Sequence, residues 1–146
     1  KLSSSFTPVR ADPDYSGKLR ILVAHHPFIE PEGGHHHGVI HGARAALPVL
    51  EHLGVDLILG GHVHRSYHGD IRAQHPQIKR AITNILAGSA TSTRRREAHN
   101  AYYVLRVSSG AETQLMRRAF IDGRWRDSGG PTSLAGFRQI DRGGHV

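Results

Sequence analysis

One hundred and forty-six residues suffice for one domain with its own core but not clearly for two. The absence of cysteine excludes a disulfide framework and any thiolate metal site. No apolar run approaches the ~18 residues of a membrane helix, no signal-peptide pattern is visible, and the formal charge of +7, carried by mostly scattered arginines, reads first as a solvated surface and second as attraction to phosphates or other anions.

Residues 1–17 are rich in Ser, Pro, Asp and Gly without periodicity and read as a loop or linker. Residues 19–24, Leu-Arg-Ile-Leu-Val-Ala, form a short apolar run suited to a buried strand, and a Pro-, Gly- and His-rich loop follows from Pro27 to Gly38. Within 39–53, Ala43, Ala46, Leu47, Leu50 and Leu53 recur at spacings of three and four and predict a helix. Pro48 predicts a kink or early break in it, and Gly54 a C-terminal cap. Residues 55–60 predict a second buried strand, completing a β-loop-α-β unit whose strands should be parallel. Residues 81–87, 101–108 and 113–121 predict further strands between polar turns, mainly antiparallel. The body thus spans 18–127, and 128–146 is a Gly-rich tail, poorly ordered unless docked. The fold class is α/β.

Ala24-His25-His26-Pro27 leaves the first strand, and Gly60-Gly61-His62-Val63-His64 leaves the second. If the strands are parallel, both groups emerge at the carboxyl edge of the sheet, where open α/β sheets bind their ligands. In extended backbone, residues two apart project to one side, so His62 and His64 could reach one metal ion or a close pair. His25 joins them as a candidate ligand, whereas His26 should point to the opposite side. Thirteen histidines make accidental pairs possible, but two strand-end placements joined by a crossover favour a metal site. Imidazole alone leaves the metal open among Zn, Fe, Mn and Ni.

These segments resemble the calcineurin-like metallophosphoesterases, particularly their cyclic-nucleotide phosphodiesterase-like branch. The resemblance rests on His25-His26-Pro27-Phe28, on residues 55–67 with their Gly-Gly-His-Val-His-Arg core, and on residues 87–94. It implies a four-layer sandwich and two divalent or trivalent ions (Mn, Fe or Zn), His25 and His62 serving one and His64 the other. It also implies hydrolysis of a phosphomonoester or phosphodiester by a metal-bound hydroxide. The family's Asp-x-His, Gly-Asp-x-x-Asp and Gly-Asn-His-Asp/Glu motifs have no counterpart: Asp12-Pro13-Asp14 lacks the histidine, Gly69-Asp70 lacks the second aspartate, and His99-Asn100 is reversed.

The expectation is therefore a C-terminal half, inactive alone and completed by an N-terminal half that carries the carboxylates. No residue of this chain is assigned a catalytic role. The alternative is a stand-alone His-rich metal-binding module without catalysis. His26, His41, Arg65 and Arg94 are weaker candidates for substrate contact or for support behind the ligands. The His35–His37 run reads as exposed loop, and Tyr102, Tyr103, Phe120 and Trp125 as core. Scattered arginines and no base-stacking platform argue against a nucleic-acid partner, and no membrane partner is expected. An uncovered half-domain surface would favour self-association, and the cysteine-free composition fits a cytoplasmic setting.

Overall fold

A computed structural model describes residues 18–31, 38–93, 99–107 and 112–134. The 1–17 segment, the His35–His37 run, Arg94-Arg95-Arg96 and the last twelve residues of the tail lie outside the described residues.

Strand β1 (Ile21–Val23) is followed in chain order by helix α1 (Ala43–His52) and then by β2 (Leu57–Gly60). The two strands are parallel, with Ile21 opposite Leu57 and Val23 opposite Leu59. Asp56 fixes this register: its carboxylate accepts from the Arg20 N–H at 2.9 Å and its own N–H donates to the Arg20 carbonyl at 2.9 Å. Arg80 adds an ion pair to the same carboxylate.

Helix α1 runs unbroken past Pro48, contrary to the kink or break expected. Proline lacks the N–H that would bond the carbonyl of Arg44. Both residues are exposed, so the loss falls on the solvent side of the helix. Gly54, in the left-handed region at φ 71°, ends the helix as the sequence predicts. Its N–H donates to the Glu51 carbonyl and that of Val55 to the Leu50 carbonyl, the paired bonds of a Schellman motif.

Beyond the second strand the chain adds β3 (Tyr67–Asp70), a 3-10 turn (Ile71–Ala73) and β4 (Thr83–Leu86). Strand β4 pairs with β3 antiparallel but with β2 parallel, giving a first sheet in the order β1-β2-β4-β3. The second sheet is antiparallel throughout: β5 (Ala101–Arg106), β6 (Gln114–Ile121) and β7 (Arg124–Asp127), with β8 (Thr132–Ser133) pairing β6. The first part of the tail is thereby docked, and Leu134 is buried.

Alternation along the strands of the first sheet separates two cores. Ile58 and Ile82 face α1, where Leu47 is fully buried; Leu57 and Ile85 face the second sheet, meeting Leu115 and Leu134. The described residues thus form three layers, α1 over the first sheet over the second. Strand β1, expected to be buried, lies at the edge of its sheet with Val23 77% exposed. Of the aromatics expected in the core, only Tyr103 packs against it. Tyr102 and Phe120 instead each pack edge-to-face on Trp125, and Phe120 is exposed.

Candidate metal centre

Parallel pairing continues just past the regular strands, and this brings the histidines together. The Ala24 N–H donates to the Leu59 carbonyl at 2.9 Å, and the Gly61 N–H to the His25 carbonyl at 3.1 Å. Gly60 eases this close approach: a Cβ would lie 3.0 Å from the Ala24 carbonyl oxygen and 3.0 Å from Leu86 Cδ2, tighter than most Cβ contacts. The chain from β1 turns at His25-His26 and that from β2 at His62, side by side at the carboxyl edge.

The Val63 N–H donates to the Gly61 carbonyl at 2.7 Å, closing a three-residue turn about His62, whose φ is 66°. Such positive-φ γ-turns are rare and strained. His64 also has positive φ, 56°. The extended backbone expected for Gly-His-Val-His is therefore not what this segment adopts, and its two histidines part company. His62 Nδ1 lies 3.1 Å from His25 Nε2, and its ring centroid 4.1 Å from that of His26. His64 Nδ1 instead makes a 2.9 Å hydrogen bond with the hydroxyl of buried Ser89.

His25, His26 and His62 each offer a ring nitrogen, and these atoms all lie within 4.8 Å of one another. His26 faces His62 because residues 25–26 form a bend, not the extended segment that would turn its ring away. His64 is not part of this group. His41 is exposed in the turn before α1, Arg65 is exposed beside His64, and Arg94 lies outside the described residues. Gly38 comes back over the site: a Cβ there would lie 2.9 Å from Val63 Cγ1.

Three imidazoles are a familiar ligand set for a single zinc-like ion, with a fourth position left open. Nitrogens already within 4.8 Å need only small ring rotations to converge. The group contains no carboxylate. It therefore fits one ion, whereas a bridged pair would require acidic ligands from elsewhere.

No family model and no curated protein matches the sequence. Solved structures of Vps29 from Entamoeba histolytica are similar. A single mutant and a double mutant each give a TM-score of 0.42, at 19% and 18% identity. A wild-type complex with zinc gives 0.41 at 20%. Each match covers 66% of this chain, which spans only 53–54% of the Vps29 chains. What the site can do follows from its own side chains.

Sequence reasoning missed the partners behind the histidines: Ser89 on His64, and Gln74, His75 and Asn84 around the loop that follows His26. Ser89 lies in a segment the sequence had already singled out. Gln74 and His75 carry no sequence signal, because nothing local marks the β3–β4 connection that brings them in, and Asn84 lies in the strand expected at 81–87 with no pattern to announce its bond to the loop.

Proposed function

We propose that this chain contributes the histidine face of a divalent-metal phosphoesterase centre. The observation that carries this reading is the convergence of three imidazoles from two adjacent parallel strand ends. Their position at the carboxyl edge of the sheet is where such folds take ligands. The Gly-Gly-His-Val-His-Arg segment adds the resemblance to metallophosphoesterases.

In this reading His25, His26 and His62 hold one ion. His64, oriented by Ser89, stands ready as a ligand or proton carrier toward a second ion or the substrate. A divalent ion supplies Lewis acidity toward a phosphoryl oxygen and makes water more acidic. The chain's own residues hold that ion and present their open side at the sheet edge. The family's carboxylate motifs have no counterpart in the sequence, so in this reading the carboxylates that neutralise and bridge an ion pair come from an acidic companion segment, and the isolated chain binds metal without turnover. The phosphoester substrate and the acidic companion segment are part of the same proposal.

Calorimetric titration with Zn²⁺ and Mn²⁺ is expected to show one ion per chain. His62→Ala should weaken binding about 100-fold or more, beyond the loss typical of a residue that only supports a ligand. No uptake by the wild-type chain would sink the proposal. The second arm supplies a segment bearing the Asp-x-His and Gly-Asn-His motifs and assays a generic aryl phosphodiester with Mn²⁺. Hydrolysis only in the mixture, lost in His62→Ala, supports the phosphoesterase. Metal uptake without hydrolysis in the mixture would instead favour a metal-binding module, a reading the carboxylate-free trio also permits.

A further inference from the structure

Residues 27–31, which follow His25-His26, have no regular secondary structure, yet their backbone polar groups must find partners where Pro27, Phe28 and Ile29 are buried. They find them on the β3–β4 connection and on β4. The Glu30 N–H donates to Gln74 Oε1 at 2.8 Å, and Gln74 Nε2 donates back to the Glu30 carbonyl at 2.7 Å. One side-chain amide thereby reproduces the paired bonds of a strand neighbour. His75 Nε2 lies 3.3 Å from the Phe28 carbonyl oxygen, and the Phe28 N–H donates to Asn84 Oδ1 at 3.4 Å.

The bracket itself is firmly placed. Asp70 accepts from the Arg72 N–H at 2.8 Å and so caps the 3-10 turn. The N–H groups of Gln74 and His75 both donate to the Ile71 carbonyl. Ile71 is fully buried and Ile78 nearly so, which anchors the connection in the core beneath α1. Asn84 keeps a buried Nδ2 without a partner while its oxygen serves Phe28. A buried unsatisfied donor is costly, and its retention fits a polar group kept to hold the loop.

We infer that Gln74 and His75 are positioning residues, which fix the His25-His26 bend against His62 by clamping the backbone at Phe28 and Glu30. The inference rests on the metal-binding reading of the trio. Gln74 touches none of the three imidazoles in the contacts described, so it acts through the loop. Its side chain is exposed, and its removal leaves the apolar core intact.

The test compares wild type with Gln74→Ala by hydrogen exchange, Co²⁺ titration followed by visible absorption, and thermal melting. Gln74→Ala is expected to lose protection at the Glu30 amide, whose exposed bonds water can replace, and to bind Co²⁺ about tenfold more weakly, the lower end of the loss when a group that orients a ligand is removed. It should also broaden the Co²⁺ spectrum while the metal-free melting curve stays close to wild type. A merely structural role would shift the melting curve and leave the Co²⁺ spectrum unchanged. Wild-type affinity and spectrum in Gln74→Ala, with the Glu30 amide exposed, would overturn the positioning role alone. Failure of wild type to bind Co²⁺ would overturn it together with the metal-binding reading, so the two failures are distinguishable. His75→Gln, which keeps a donor for the Phe28 carbonyl, is expected to bind Co²⁺ like wild type. A tenfold loss there would place His75 outside the clamp.

Discussion

His62 is held where a non-glycine residue costs free energy, on the order of 1–3 kcal/mol for a strained backbone conformation. A surface histidine with no role gains nothing from that conformation, whereas a ligand aimed at His25 and His26 does. His62→Gly separates the two. Glycine accepts φ 66° without strain, so the metal-free protein is expected to melt no lower than wild type. The stabilisation that Zn²⁺ gives wild type should vanish in the variant. A marked drop in the metal-free melting temperature would instead mark His62 as a structural residue. The histidine pair itself was legible in the sequence, because its residue types and its place after an apolar strand are local facts. Its geometry was not, because the turn about His62 depends on the Gly61–Val63 hydrogen bond and on packing by Gly38.

At the scale of elements, β1, α1 and β2 were readable from apolar periodicity and the glycine after the helix. Strand β3, Tyr-His-Gly-Asp, has no apolar alternation to betray it, and β7, Arg-Trp-Arg-Asp, has little more. The parallel partnership of β4 with β2 was also invisible, since no local pattern specifies a pairing across the twenty-two residues 61–82. That partnership matters to the site through Gly60, which sits between β1 and β4. Gly60→Ala forces its methyl against the Ala24 carbonyl and Leu86 at once. The expected cost is about 1–3 kcal/mol in denaturant unfolding, from overpacking against backbone that cannot yield. A weaker metal affinity should accompany it, because the two histidine turns are pushed apart. Strand β3 adds a pH dependence. Burial lowers the His68 pKa below its ordinary 6.5, so the unfolded chain takes up a proton before the folded one does. The stability tied to neutral His68 is fully present above about pH 6.5 and is lost as pH falls toward the folded value. Denaturant curves between pH 7 and 5 should therefore slope less steeply in His68→Gln than in wild type, and parallel slopes would count against it.

The whole molecule is asymmetric. Strands β2 and β4 are buried inside the first sheet, but β1, which carries the chain into His25, has nothing paired along its outer edge among the described residues. Ile21 is 43% and Val23 77% exposed, on the face shared with Leu57 that the second sheet covers farther in. An apolar edge strand with free backbone groups is a template for another strand. This edge also borders the histidine trio, so a segment pairing here would deliver its own residues beside the three imidazoles. Two outcomes then compete for one surface: self-association of this chain, and docking of the acidic companion proposed above. Val23→Lys, a charge placed on the edge, tests both. Sedimentation velocity should show concentration-dependent association of wild type and its loss in the variant. Folding stability should change by no more than about 0.5 kcal/mol, as at most exposed positions. Metal affinity should hold, while any activity restored by the added segment should fall with the association. If association persists in Val23→Lys, the half-buried Tyr102–Trp125–Phe120 cluster on the second sheet, with Phe120 exposed, becomes the surface to mutate next. If association is lost but the restored activity survives, the companion docks elsewhere and the β1 edge serves only contacts between copies.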